Sequence, residues 1–162
     1  IFIPFKFLLE YKRLKKDIRN FSARHVYLKQ IALAAAYRSS LSRDQEKARQ
    51  EMQAELRDFC LHSQEISSKN AYEFLGQWMD LLFQHYWQLF QVQEKNYQDL
   101  IRKAYTYKEY QSFLKQLSQV ENSMDQAEQS DPEPGKLDPC IQQKQQAIQD
   151  LRSRELDDIF KA

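Results

Sequence analysis

Three histidines and two cysteines are the residues in this chain best suited to chemistry, and their spacing decides what chemistry is open to them. Helical proteins that hold two metals use glutamates together with a Glu-x-x-His pair, because residues three apart share one helix face. The residues three positions before His25, His62 and His85 are Ser22, Phe59 and Leu82, so that signature is missing. No His-Glu-x-x-His zinc motif occurs either. Cys60 and His62 stand two apart, which on a helix points them to different sides, so they do not read as a nucleophile and its base. Cys60 and Cys140 are separated by too much chain for a metal or redox motif, and two cysteines are too few for a disulfide scaffold. His85 among aromatic residues is the one place for a haem-like ligand, and the weakest of the alternatives. No catalytic residue, metal site or cofactor is expected.

Backbone composition points the same way. Between Phe5 and Asp131 there is no proline and a single glycine, Gly76. Glycine-rich phosphate loops and strained nucleophile turns need positive φ, and a chain with two glycines cannot build them. The Gln, Lys, Glu, Leu, Ala and Arg that fill the stretch are good helix formers, whereas proline inside a helix costs about 3 kcal/mol. The expected class is all-α: an antiparallel bundle of four to five helices, with long coiled-coil-like members.

The first helix is expected to run from Pro4, which suits a first turn, to about Arg38, roughly 50 Å at 1.5 Å per residue. Along it Phe7, Tyr11, Leu14, Ile18, Phe21, His25, Leu28, Ala32 and Ala35 recur at 4-3 spacing, a heptad seam. Ser42 and Gln45 read as a capping box for a second helix with Ala48, Met52, Leu56, Phe59 and Ile66 on one face. Ser67, Ser68 and Asn70 mark either a break or a bend. A third helix, from Ala71 to about Tyr105, crowds Phe74, Trp78, Phe83, Tyr86, Trp87 and Phe90 around a polar stripe of Gln77, Asp80, Gln84, Gln88 and Gln91. Thr106 and Glu109 then cap a fourth helix, unless the third continues through them. Residues 1–129 are read as the bundle, 130–139 as a proline-bearing linker and 140–162 as a last helix opened by Asp138 and Pro139.

Charge is balanced overall at +1 but unevenly placed: Lys6 to Arg43 is strongly basic, and Glu121 to Glu133 carries acids without a base. Seven of the first nine residues are apolar, and with the cluster Lys12, Arg13, Lys15, Lys16 and Arg19 that follows they resemble the cytoplasmic end of a membrane helix. Ile1 in place of methionine makes an excised or processed chain the expectation. The competing reading is the apolar start of a helix packed on the bundle. Nucleic acid is disfavoured, since no aromatic residues interleave with the basic run and the acidic stretch would repel phosphate.

The function expected from these residues is that of a non-enzymatic protein-interaction module, an adaptor, scaffold or assembly subunit, placed in the cytoplasm with its N-terminal end beside a membrane as an option. Its partner is expected to be another protein, or a second copy, met through Phe21, Leu28, Trp78, Trp87 and Phe90. A membrane-shaping helical protein is the alternative, followed by a cofactor-holding bundle.

Overall fold

The computed structural model describes residues 5–63, 69–127 and 139–161, with side chains described from Ala23 onward, Ser63 and Cys140 apart. These residues form six helices: α1 (Phe5–Ser42), α2 (Gln45–Ser63), α3 (Lys69–Phe90), α4 (Tyr97–Ala104), α5 (Tyr107–Ala127) and α6 (Pro139–Phe160). No strand occurs among the described residues, so the class is all-α. No described helix is long and apolar enough to cross a membrane.

The helix ends follow from local hydrogen bonding. α1 runs past Arg38 to Ser42, and the chain turns at Arg43, whose N–H donates to Ser39 O at 2.9 Å and whose φ is 59°. That is the left-handed end of a helix, normally a glycine position. The cap of α2 is Asp44, not the predicted Ser42: Asp44 Oδ1 accepts from Lys47 N–H at 3.0 Å, while Ser42 Oγ accepts from Asp44 N–H at 3.3 Å. The connection is therefore only two residues long.

α3 stops at Phe90, well short of Tyr105. Asn96 ends the interruption with an extended backbone, its side chain accepting from Asp99 N–H at 2.9 Å to start α4. Gln88 braces the corner by donating to Ala104 O at 2.8 Å. The predicted capping box at Thr106 is present in both directions: Thr106 N–H donates to Glu109 Oε2 at 2.7 Å, and Glu109 N–H donates to Thr106 Oγ1 at 3.3 Å. Hence α4 and α5 are separate from α3. Ile66, Ser67, Ser68, the linker residues 130–138 and Asp138 lie outside the described residues.

α3 is the hub, touching α1, α2, α4 and α5, while α6 packs on α4 and α5. The larger core cluster joins α1, α2 and α3. Leu28, Ala32 and Ala35 from the predicted seam meet Ala48, Met52 and Leu56 from α2 and Leu75, Trp78, Met79 and Phe83 from α3. The alanines are fully buried, so the helices approach closely there. A second cluster gathers Ile101, Tyr105, Tyr110, Leu114, Leu156 and Ile159. Gly76 is not forced by space: a Cβ there would stand 3.7 Å from the Gln53 side chain, an ordinary contact.

Arg43→Gly should relieve the left-handed backbone at the end of α1 and raise stability by about 0.5–1 kcal/mol, less than the full cost of αL because glycine loosens the unfolded chain. Thermal unfolding of the two chains followed by circular dichroism checks this; a lower melting temperature for the glycine chain would contradict it.

Candidate functional site

The polar side chains that sequence distance conceals come together where α3, α5 and α6 meet. Trp78 sits in the middle of α3 with 1% of its surface exposed, and its indole N–H donates to Glu121 Oε1 of α5 at 3.1 Å. A buried indole N–H needs such an acceptor. Glu121 in turn accepts from Arg152 Nη2 of α6 at 2.8 and 3.0 Å, and Arg152 also donates to Ser118 Oγ. His25 of α1 stands edge-on to Trp78 with ring centroids 5.5 Å apart. Lys144 completes this side with an ion pair to Asp125 at 2.6 Å.

Two turns further along lies an aromatic chamber. His85 is 5% exposed, stacks on Phe113 with centroids 4.5 Å apart, and shares a hydrogen bond between Nδ1 and the Tyr105 hydroxyl at 3.0 Å. Burial holds its pKa down to about 4, so the ring is neutral at pH 7. The Tyr97 and Tyr110 hydroxyls lie 3.2 Å apart, and Tyr110 donates to Glu155 Oε1 of α6 at 2.8 Å. Desolvation pushes the Tyr105 and Tyr110 pKa values up, with Tyr97 and Glu155 adding to the shift at Tyr110. Trp78, His85, Tyr110, Glu121, Arg152 and Glu155 all border one cavity of about 300 Å³.

Burial favours the neutral forms of these side chains. The tyrosines are held protonated, the histidine is held neutral, and burial raises the Cys60 thiol above its ordinary value. His62, two residues on, donates through Nδ1 to Asp58 O at 2.7 Å and is exposed. Asp80 does not stand alone in a solvent stripe: Arg49 approaches it at 3.6 Å and Gln53 donates to it at 3.4 Å. Among the described residues no group of three His, Cys, Asp or Glu side chains is placed to hold a metal ion.

The residues expected to meet a partner are dispersed. Leu28 and Trp78 are buried in the chain's own core, Trp87 is half-buried against that core, and Phe90 is exposed beside Tyr37 with ring centroids 5.6 Å apart. Phe21 and the basic residues Lys12, Arg13, Lys15, Lys16 and Arg19 lie on α1 outside the described side chains. What the sequence reading passed over is the opposite face of α1. Val26, Leu33, Tyr37 and Leu41 are 53%, 43%, 52% and 69% exposed, and their spacing of seven, four and four residues aligns them. The signal was present in the sequence as a second apolar row, but only the positions of α2 and α3 reveal which row is covered.

No protein-family model, curated protein or solved structure matches this chain.

The depressed His85 pKa makes a signed prediction. The unfolded chain binds a proton near pH 6.5 and the folded chain only near pH 4, so the His85 contribution is full above about 6.5 and is lost as pH falls toward 4. The loss should be on the order of 3 kcal/mol. His25, lowered chiefly by burial and then by Lys29, adds with the same sign. Glu109, lowered by the Thr106 backbone and side-chain hydrogen bonds, acts only at more acid pH. Urea unfolding from pH 8 to pH 4.5 should show this slope, and His85→Gln should flatten it; an equal slope in both chains would rule His85 out as its source.

Proposed function

We propose that this chain is a non-enzymatic helical protein-interaction module, an adaptor, scaffold or assembly subunit, that presents the outer face of α1 to another protein. The observation that carries the reading is the row Val26, Leu33, Tyr37 and Leu41, apolar and exposed on the side of α1 away from its buried alanines. A surface helix usually carries one apolar stripe, facing its own core. α1 carries two. Phe90 extends the second at the Tyr37 ring, giving an aromatic patch of the kind enriched at interface hot spots.

The architecture that suits this role is an antiparallel bundle in which α1 is coiled-coil-like. The two-residue connection favours antiparallel α1 and α2, and the seam residues Leu28, Ala32 and Ala35 are buried at 4-3 spacing. The quiet chemistry of the α3–α5–α6 junction supports a structural role for its histidine and tyrosines. A cytoplasmic setting fits Cys60, a half-buried thiol that is not in a disulfide.

Membrane association is the second reading, and one observation favours it. α1 is uninterrupted from Phe5 to Ser42, so by spacing positions 12, 15 and 19 fall in register with 26, 33 and 37. Basic residues followed by apolar ones along one helix face describe a segment that lies on an anionic membrane surface.

Leu33→Glu with Tyr37→Glu tests both. Because both side chains are exposed, stability should change by no more than about 0.5 kcal/mol for each. Association, read as mass by light scattering and as co-purified protein, should be lost. Association that survives both charges would defeat the α1 reading. Co-sedimentation with phosphatidylserine vesicles, lost in the same variant, would move the assignment to a membrane.

A further inference from the structure

The cavity of about 300 Å³ bordered by α1, α3, α4, α5 and α6 keeps polar groups that the fold itself leaves unused. His85, 5% exposed, is the deeper of them. Its Nδ1 is taken by the Tyr105 hydroxyl at 3.0 Å. Tyr105 is no part of the cavity wall and His85 is, so the ring edge that carries Nε2 turns toward the space. Nε2 has no hydrogen-bond partner among the described residues. A polar atom on so buried a side chain normally finds one.

Glu155 is the second group. Half-buried, it accepts from the Tyr110 hydroxyl at 2.8 Å, and no cation pairs with it among the described residues. The remaining charges on the wall act differently. Glu121 and Arg152 neutralise each other through contacts of 2.8 and 3.0 Å, and Lys29 is exposed on α1, where water screens it. Glu155 is therefore the charge the cavity presents. Around it the wall is aromatic, with Trp78, Tyr86, Tyr97, Tyr110 and Phe113 bordering the space. Ring faces attract cations, and a cavity of this size, aromatic with a few convergent polar groups, suits a small ligand.

We propose that this cavity binds a small protonated aromatic amine, with its ammonium on Glu155, its ring against the aromatic wall and a hydroxyl at its far end on His85 Nε2. The ammonium supplies the cation that Glu155 lacks, as a charge-assisted hydrogen bond. A hydroxyl both donates and accepts, so it serves His85 in either tautomer. Tyr97, 48% exposed, marks the mouth, and every helix keeps its place while the ligand enters. The site does not rest on the α1 reading.

The probe is tyramine, titrated into the full-length chain at pH 7 and read by calorimetry and by NMR. One-to-one binding with a Kd below about 1 mM is expected. Glu155→Gln keeps an acceptor for Tyr110 and removes the charge, so it should weaken binding at least about tenfold. Phenethylamine, which lacks the hydroxyl, should bind the unchanged chain at least about fivefold more weakly. Hydrocinnamate, with a carboxylate in place of the amine, should not bind. Nuclear Overhauser contacts from the tyramine ring to the Tyr110 and Phe113 rings should locate the ligand without relying on any variant's folding. No saturation by about 10 mM tyramine would overturn the proposal. So would equal affinity for phenethylamine or hydrocinnamate, equal affinity in the folded Glu155→Gln chain, or ring contacts elsewhere on the molecule.

Discussion

Trp78 is the side chain on which most of the structure depends. A tryptophan at 1% exposure gains much from burial, but its N–H must find an acceptor or that gain is offset by the desolvation of a polar group. Glu121 supplies the acceptor from α5, and a carboxylate placed beside a core needs a compensating charge of its own. Arg152 supplies that charge from α6. One aromatic residue on the hub helix thereby fixes its neighbour directly and the last helix at one remove. His25 against the same ring ties in α1.

Around that point the molecule separates its tasks. Aromatic rings and tyrosine hydroxyls fill the α3–α4–α5 corner, where Tyr105, Tyr110, Phe113 and His85 stack and hydrogen-bond to one another. Burial favours the neutral form of each, holding the His85 pKa down and the Tyr105 and Tyr110 pKa values up. Elsewhere apolar side chains stay exposed, as in the row Val26, Leu33, Tyr37 and Leu41 on α1.

Much of this architecture was legible in the residues. The helical class follows from a long stretch without proline, the buried face of α2 from Ala48, Met52 and Leu56, and the start of α5 from the reciprocal pair Thr106 and Glu109. The end of α3 was misplaced because strong helix formers run straight through it; Asn96 followed by Asp99 was the local signal that overrides them. Asp44 took the cap from Ser42 for a similar reason, since either side chain can accept a backbone N–H and the turn geometry chooses. The aromatic content of α3 was readable, but its use was not. Trp78 and Glu121 stand 43 positions apart, and nothing local links them. The two apolar rows of α1 likewise look alike until neighbouring helices cover one.

The claim that Glu121 couples Trp78 to Arg152 is tested most directly by a double-mutant cycle of Trp78→Phe and Arg152→Met, read by urea unfolding. Trp78→Phe keeps a large ring and removes the N–H and some ring area, so a coupling to Arg152 that depends on residue 121 runs through the shared carboxylate. The account predicts a coupling of about 0.5–1.5 kcal/mol that disappears when Glu121 is replaced by Leu, which has no acceptor. Effects that add within about 0.3 kcal/mol would show that α6 is seated independently of the tryptophan and would contradict the account.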